Sequence, residues 1–262
     1  MQFPWIRTSL AAAAAAGLLL LSGGCTTERG EAGHLTNVAL LSPVGAQVPG
    51  KFSKTITKEL KLDYLKYLPK GYQDDPSKSW PLVVFLHGSG ERGTNLSAVA
   101  VHGPPKLVRE GHDYPFILIS PQCPSGQIWD DDAVLGMIDD VMTHHRVDAK
   151  RVYLTGLSMG GFGTWSLAAK HPERFAAIAP ICGGGERLRL LLLSDSQKQS
   201  LKTLGVWAFH GGKDNVVKLE ESERMVAAFK STGCTDIQLT VYPDAGHDSW
   251  TQAYNEPTFV DW

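Results

Sequence analysis

Short apolar runs alternate with longer amphipathic segments from about Lys51 to the end of the chain. The run PLVVFLHG, beginning at Pro81, is apolar almost throughout and ends at glycine, as expected for a strand buried on both faces. The runs FILIS, VYLTG, AAIAPICG, VWAFHGG and IQLTVYPDAGH have the same character. The earlier segment KELKLDYLKYLP has apolar residues at every second position, which predicts a half-buried strand.

Segments with helical periodicity separate these runs. DDAVLGMIDDVMTHH carries its apolar residues on one helical face and acids in its first turn, where the helix dipole favours negative charge. Further helices are predicted over Met159–Lys170, Arg187–Leu204 and Leu219–Ser231. The repeated order of strand, helix and strand predicts an α/β fold, with a mainly parallel twisted sheet and helices on both faces. In such sheets, functional side chains lie at the carboxyl ends of the strands.

The first 25 residues have the composition of an export signal. One arginine precedes the apolar stretch AAAAAAGLLLL, which is short for a membrane span and is followed by SGGC. We expect residues 1–24 to be a signal peptide that resembles the bacterial lipoprotein type, with Cys25 lipidated, although Ser22 stands where that pattern usually has leucine. Residues 25–50 predict a tether with an N-terminal edge strand. The protein would then be an exported, membrane-anchored lipoprotein; the alternatives are a secreted periplasmic or extracellular protein and a retained N-terminal anchor.

Composition and charge narrow the classes of partner. The chain has 262 residues, of which 43% are hydrophobic and 20% charged, and its formal net charge is −2. This is an ordinary globular composition, and no basic patch predicts a nucleic-acid partner. Three cysteines besides Cys25 are too few for a disulfide framework. We expect neither a metal nor a cofactor, because the other histidines lack ligand spacing: His87, His102, His112, His144 and His145.

The stretch YLTGLSMGGFGTW places Ser158 between glycines two positions to either side. It follows a predicted buried strand and precedes a predicted helix, so Gly156–Gly160 forms the turn between them. Such a turn strains its central residue and leaves no room for side chains at the flanking positions. It holds the serine hydroxyl above the sheet at a helix N-terminus, as in the G-x-S-x-G nucleophile elbow. Outside that context, a serine at a helix start is most often an N-cap.

A serine nucleophile needs a base, and the base needs an orienting acid, in the chain order Ser, then Asp or Glu, then His. His247 in DAGHDSW fits best, because His171 lies in a helix that faces away from the strand ends and no acid-bearing strand end lies between Ser158 and His210. Asp214 in FHGGKDNVV, just beyond an apolar strand, is the expected acid, although a turn aspartate of this kind can simply cap the next helix. The acids that stay open as alternatives are Asp236, Asp244 and Asp248.

Two backbone N–H groups should stabilise the oxyanion of the intermediate. One belongs to Met159, directly after the serine, and the other to Ser89 in the glycine-rich stretch LHGSGERG, which follows the strand from Pro81. Trp129 and Trp250 follow strand ends and are the candidate pocket residues, with a packed structural role as the alternative.

Taken together, these motifs make the chain from roughly Lys51 onward resemble the α/β-hydrolase superfamily. The matching stretches are FLHGSGERG, PQCP, RVYLTGLSMGGFGTW, FAAIAPICGGG, WAFHGGKDNVV and YPDAGHDSWTQAY. They are most similar to small bacterial carboxylesterases grouped with dienelactone hydrolases, phospholipase/carboxylesterases and feruloyl-type esterases, some relatives of which are labelled predicted peptidases. The resemblance implies an α/β-hydrolase catalytic domain over residues 51–262, with Ser158, Asp214 and His247 as its triad.

Two further expectations follow from the resemblance. No inserted lid domain is visible, since only about twenty residues separate ICGGG from the next strand, and relatives usually continue past FVDW into a last helix. The usual strand order places two strands between those preceding Cys123 and Cys182, which predicts that these cysteines are not bonded.

The function expected from these residues is hydrolysis of carboxylic esters through an acyl-enzyme on Ser158. The substrate would be a small-molecule or polymer-linked ester, such as an acetyl or feruloyl ester, by analogy alone. A serine peptidase of the prolyl-oligopeptidase-like type is the first alternative, but the chain leaves no room for a gating domain. The second is a non-catalytic surface binding lipoprotein, against which the complete triad argues.

Overall fold

The computed structural model describes Gly45 and residues 47–262 of the chain. These residues belong to two units. The first, Met1–Ile56, contributes Gly45 and residues 47–56, which are exposed and carry no helix or strand. The second, Thr57–Trp262, contains every helix and strand of the described chain. The predicted signal peptide, Cys25 and most of the predicted tether lie outside the described residues and stay predictions.

Within residues 47–262, seven strands form one sheet: β1 (Tyr64–Tyr67), β2 (Trp80–Leu86), β3 (Ile117–Pro121), β4 (Val147–Leu157), β5 (Ala177–Ile181), β6 (Gly205–Gly211) and β7 (Ile237–Tyr242). Their order across the sheet is β1-β3-β2-β4-β5-β6-β7. Only the β1–β3 pair is antiparallel among these strands, and the other neighbours run parallel. The predicted mainly parallel α/β architecture is therefore confirmed.

The same part of the chain contains seven α-helices: α1 (Gly103–Arg109), α2 (Asp131–His144), α3 (Met159–Lys170), α4 (Leu188–Leu191), α5 (Asp195–Leu201), α6 (Leu219–Thr232) and α7 (Trp250–Ala253). Short 3-10 helices cover Ser89–Glu91, Leu96–Val101 and Pro172–Arg174. The prediction of one helix over Arg187–Leu204 is wrong, because α4 and α5 replace it. Ser194 starts the second helix with a capping box, in which its hydroxyl accepts from the Gln197 backbone and the Gln197 side chain accepts from the Ser194 backbone.

Both faces of the sheet are covered, which explains why its central strands are apolar at consecutive positions. In β2, Leu82 and Val84 join a core cluster that also contains residues of α2 to α6. Phe85, the next residue after Val84, joins a second cluster on the other face of the sheet, with residues of α1 and α7. Truncating one of these buried side chains to alanine would cost roughly 2–5 kcal/mol.

Three further observations concern regions away from the sheet centre. The alternating segment before β1 pairs with β3 only from Tyr64 to Tyr67, so that strand is shorter than its sequence pattern suggests. Cys123, Cys182 and Cys234 are buried and unbonded, and β2 and β4 lie between the strands that precede the first two.

None of the helices in the described residues combines the length and the apolar character needed to cross a membrane.

Candidate active site

The site is built around a sharp turn between the centre of the sheet and α3. β4 ends at Leu157, α3 begins at Met159, and Ser158 between them has φ 52° and ψ −117°. A positive φ at a non-glycine residue is sterically costly and persists only where the surrounding structure imposes it. Here the Ser158 N–H donates to the carbonyl of Ile181, and its carbonyl accepts from the Phe162 N–H. These two bonds tie the strained residue to β5 and to the first turn of α3.

The glycines around Ser158 are required by close backbone approaches. A Cβ atom added to Gly156 would lie 2.5 Å from the carbonyl oxygen of Gly160 and 2.8 Å from that of Leu86. A Cβ atom on Gly160 would collide with the same Leu86 carbonyl and lie 2.9 Å from the His87 oxygen. The end of β2 is therefore in direct contact with the turn, and any larger residue at either glycine would displace the serine.

The structure brings Ser158, His247 and Asp214 together from three separate loops. The Ser158 Oγ lies 2.9 Å from Nε2 of His247, and the other ring nitrogen, Nδ1, lies 2.7 Å from Oδ2 of Asp214. Asp214 follows β6, and His247 lies between β7 and α7. Because a carboxylate only accepts hydrogen bonds, Nδ1 carries the hydrogen and Nε2 is left to accept from the serine hydroxyl. This tautomer is the one required for proton abstraction from serine.

Asp214 is held as an anion in a buried position. Its side chain has no exposed surface, and its Oδ1 accepts from the N–H groups of Val216 and Val217, each at 2.9 Å. Burial acts to raise the pKa of Asp214, but the hydrogen bonds from His247 and from the two backbone amides outweigh burial and lower this pKa below its ordinary value. The carboxylate is therefore ionised at neutral pH and fixed in one orientation.

The other acids that the sequence left open lie elsewhere. Asp236, Asp244 and Asp248 are exposed, and Asp244 forms an ion pair with Lys213 at 2.6 Å. Among the other histidines after Ser158, His171 is the C-cap of α3. His210 is fully buried within β6 and makes no hydrogen bond to the serine.

The two predicted oxyanion-hole residues each belong to a segment that contacts or adjoins Ser158. Met159 is the first residue of α3, where a helical N–H group has no acceptor within its own helix. Ser89 begins a 3-10 helix, and its neighbour Gly88 approaches the serine: a Cβ atom on Gly88 would lie 3.7 Å from the Ser158 Cβ. The loop after β2 is thus close enough to supply a donor to an oxygen bound above Ser158.

An open groove of 1250 Å³ is lined by Ser158, by one side of α3 and by residues at the start of α2 and in α4. Trp129 lies in its wall, but the indole is largely buried and its Nε1 donates to the His87 carbonyl at 3.1 Å. Trp250 is half-buried and packs edge-on against His247, with ring centroids 5.4 Å apart. Sequence reasoning missed two exposed apolar residues of the groove, Ile128 and Phe162, because exposure depends on tertiary packing.

The charged residues of the groove are paired with one another, four carboxylates with three cations. Lys58 forms ion pairs with Asp130 and Asp132, and Lys170 forms one with Asp131. The remaining charged pair in the wall is Glu186 with Arg189. The groove therefore offers mixed apolar and polar surface without a strong net charge.

Cys182, which the sequence predicts only to be unbonded, lies beside the site. It directly follows β5 with a φ of 42°, and its thiol lies within 4.8 Å of ligand atoms of Asp214 and His247. This is the one set of three metal-ligand types that lie so close together among the described residues. The set suits a metal poorly, because burial raises the pKa of the Cys182 thiol to about 12 and the Asp214 and His247 atoms already bond each other.

Comparisons with known proteins agree with this fold. The dienelactone hydrolase family matches residues 127–257. Poly(3-hydroxyalkanoate) depolymerase C of Paucimonas lemoignei is 33% identical over 140 residues, which are 47% of this chain and 31% of that protein. Acetylxylan esterase A of Emericella nidulans is 29% identical over 126 residues, 42% of this chain and 38% of that protein. The chain spans less than half the length of these curated relatives.

A similarity to a solved structure covers more of the chain. The crystal structure of a thermostable esterase superposes with a TM-score of 0.63 at 31% sequence identity, covering 77% of this chain and 58% of that chain. The sheet order and the turn at Ser158 described above therefore lie in a scaffold that is shared with an esterase.

Proposed function

The chain belongs to the dienelactone hydrolase family, and from this premise we propose that it hydrolyses carboxylic esters with Ser158 as nucleophile. The observation that carries the proposal is the pair of contacts around His247, 2.9 Å to the serine oxygen and 2.7 Å to the buried Asp214 carboxylate. Hydrogen bonds of this length on both ring nitrogens suit a general base that an acid orients.

In the first half of the reaction, the Ser158 Oγ attacks the ester carbonyl carbon while its proton passes to Nε2 of His247. The negative charge moves to the former carbonyl oxygen, which accepts from the N–H groups of Met159 and Ser89. The bond from this carbon to the alkoxy oxygen then breaks, and that oxygen takes the proton from His247. An alcohol leaves, and the acyl group stays on Ser158 as an ester. Each donor of such an oxyanion hole is typically worth about a hundredfold to a thousandfold in rate.

Water completes the cycle, now as the nucleophile, and Ser158 is the leaving group. It gives one proton to His247 and attacks the acyl carbon, the bond to Ser158 breaks, and Oγ recovers the proton as the carboxylic acid is released. In both halves, Asp214 stabilises the positive charge on His247 without taking the proton itself. A carboxylate whose pKa is lowered suits this role because it remains ionised throughout.

We propose an ester group carried on a large or polymeric substrate. The groove beside Ser158 is open, has a volume of 1250 Å³, and contains paired charges next to the exposed side chains of Ile128 and Phe162. Such a surface suits an uncharged chain that stays largely in solvent while one ester group reaches the serine. The relatives named as an acetylxylan esterase and a poly(3-hydroxyalkanoate) depolymerase support a polymer-linked substrate.

The test is the release of p-nitrophenol from a short acyl ester that is present in large excess over a known concentration of the enzyme. We expect a burst equal to about one turnover followed by a steady phase, because acylation releases the phenol before water frees the serine. Ser158→Ala should abolish both phases, whereas the control Ser200→Ala on α5 should keep them. Release that persists in Ser158→Ala would refute the assigned nucleophile, and preferential cleavage of a peptide substrate would favour a peptidase.

We also propose that the protein is exported and anchored to a membrane through a lipid on Cys25, on the basis of the N-terminal sequence alone. Labelled palmitate fed to expressing cells should then be incorporated into the wild-type chain and not into Cys25→Ser. Equal incorporation in both chains, or none in the wild type, would contradict the anchor.

A further inference from the structure

A second histidine, besides His247, lies close to the carboxylate of Asp214. His210 is fully buried in β6, four residues before Asp214, and its Nε2 lies 3.3 Å from Oδ2, the same oxygen that bonds His247. That Nε2 also lies 2.9 Å from the carbonyl oxygen of Val217. Both neighbours are acceptors, so Nε2 carries a hydrogen. The ring therefore contacts the aspartate directly at Oδ2 and, through its hydrogen bond to Val217, also contacts the turn that follows the aspartate.

The loop that His210 contacts is the loop that clamps Asp214. Val217 receives a hydrogen bond from the ring at its carbonyl and gives one from its N–H to the Asp214 Oδ1. Val216 supplies the second N–H to that oxygen. The imidazole thus braces the turn of residues 214–217 at the peptide groups that fix the carboxylate orientation.

The ring of His210 is itself anchored. Its Nδ1 lies 2.8 Å from the hydroxyl of Ser222 on α6, and that hydroxyl lies 3.0 Å from the carbonyl of Gly183, just beyond β5. His210 and Ser222 have no exposed surface, so these bonds are shielded from water. The Ser222 hydroxyl has one hydrogen and two acceptors within reach, Nδ1 of His210 and the Gly183 carbonyl, so it donates to one of them at a time. A continuous set of short polar contacts therefore runs from the end of β5 through Ser222 and His210 to the turn that holds Asp214.

We propose that His210 is a positioning residue for the triad: it fixes the Asp214 carboxylate toward His247 by bracing the 214–217 turn. The inference rests on the proposed serine hydrolase function. A loss of this brace should misplace the carboxylate and lower the rate of proton transfer, with little effect on ester binding in the groove. Misplacement of a catalytic group by about 1 Å costs on the order of a hundredfold in rate.

The test compares two substitutions that keep different nitrogens of the ring. The amide of glutamine reaches the place of Nε2, whereas the shorter amide of asparagine reaches only the place of Nδ1. We expect His210→Asn to lower kcat for p-nitrophenyl acetate by about tenfold to a hundredfold at nearly unchanged KM, and His210→Gln to recover most of that loss. Ser222→Ala should lower kcat by about threefold to tenfold, because it removes only the anchor of the ring. His144→Asn on α2 and Ser231→Ala on α6 are the matched surface controls.

A second measurement separates this inference from the proposed function. The rate at which a fluorophosphonate modifies Ser158 reports serine activation without requiring a suitable ester. We expect this rate to fall in His210→Asn and to recover in His210→Gln. A wild-type kcat and labelling rate in His210→Asn would overturn the inference, as would equal losses in the asparagine and glutamine variants. If the histidine variants fail to fold, an unchanged kcat in Ser222→Ala would overturn it alone. Absence of ester turnover in the wild type, with labelling intact, would count against the proposed substrate class and not against His210.

Discussion

Replacement of Asp214 by asparagine should disable the site without altering its shape, because the surrounding hydrogen bonds dictate which way the amide points. The N–H groups of Val216 and Val217 both donate to Oδ1 at 2.9 Å. If the asparagine placed its NH2 group there, this donor would oppose the two backbone N–H donors, at a cost of about 1–3 kcal/mol for each unsatisfied group. At the other position, Nε2 of His210 is the one opposing donor, 3.3 Å away, and its hydrogen already bonds the Val217 carbonyl at 2.9 Å. The amide oxygen therefore stays opposite the two backbone donors, and the NH2 group must face Nδ1 of His247.

The consequence for His247 is a change of tautomer. Nδ1 now accepts from the asparagine, so the ring hydrogen moves to Nε2, which lies 2.9 Å from the Ser158 oxygen. A nitrogen that carries a hydrogen cannot take the serine proton. The corresponding substitution in a well-studied serine protease triad lowers kcat by about 10⁴-fold. We expect a similar loss here, which corresponds to about 5 kcal/mol of transition-state stabilisation.

The assay is steady-state hydrolysis of p-nitrophenyl acetate near pH 8, with thermal unfolding measured in parallel. Asp214→Asn should unfold near the wild-type temperature and show a kcat close to the limit of detection. The matched control is Asp244→Asn, which alters an exposed aspartate on the neighbouring loop and should keep full activity. Retention of more than a tenth of kcat in Asp214→Asn, or an equal loss in Asp244→Asn, would show that Asp214 does not set the His247 tautomer.

Three further outcomes test other parts of the site. Gly160→Ala should lower the melting temperature and the activity together, with a destabilisation of about 1–3 kcal/mol or more, because its Cβ collides with the Leu86 carbonyl, whereas Gly90→Ala meets nothing within 4 Å and should match the wild type in calorimetry. Ser89→Pro should lower kcat by about a hundredfold or more, because it removes one N–H donor at a helix-start position preceded by extended backbone, while Ser89→Ala keeps the N–H and should keep the rate. Cys182 should resist iodoacetamide at pH 8 in the native protein and react once denatured, since only the thiolate reacts and burial raises the pKa of this thiol to about 12; peptide mapping that finds native modification would contradict its burial.

Much of this arrangement could be predicted because local pattern and topology both constrain it. The run from Met159 to Lys170 is helical, as its sequence predicts, and parallel strands bring their carboxyl ends to one edge of the sheet. Ser158, Asp214 and His247 each follow a strand, so the fold alone places them near one another. The glycine spacing at the turn indicates a close backbone approach, but it does not identify the approaching group, which in the folded chain is the Leu86 carbonyl.

Other features depend on contacts that a sequence pattern does not encode. The segment predicted as one helix is divided, because α4 ends at Leu191 and the Ser194 capping box starts α5. The residues of that box are visible in the sequence, but the apolar run before them favours a continuous helix. The positive φ of Cys182 and the contact of His210 with Asp214 arise only when β5, β6 and α6 pack together. Likewise, exposure of Phe162 in the groove cannot be inferred from helical periodicity alone.

The most direct measurement of the central claim is the site of covalent modification by a fluorophosphonate, followed by loss of ester hydrolysis and located by peptide mass spectrometry. We expect one adduct per chain, on Ser158, formed in step with inactivation and greatly slowed in His247→Ala. Full inactivation with Ser158 unmodified, or an adduct on another serine that tracks the loss of activity, would contradict it.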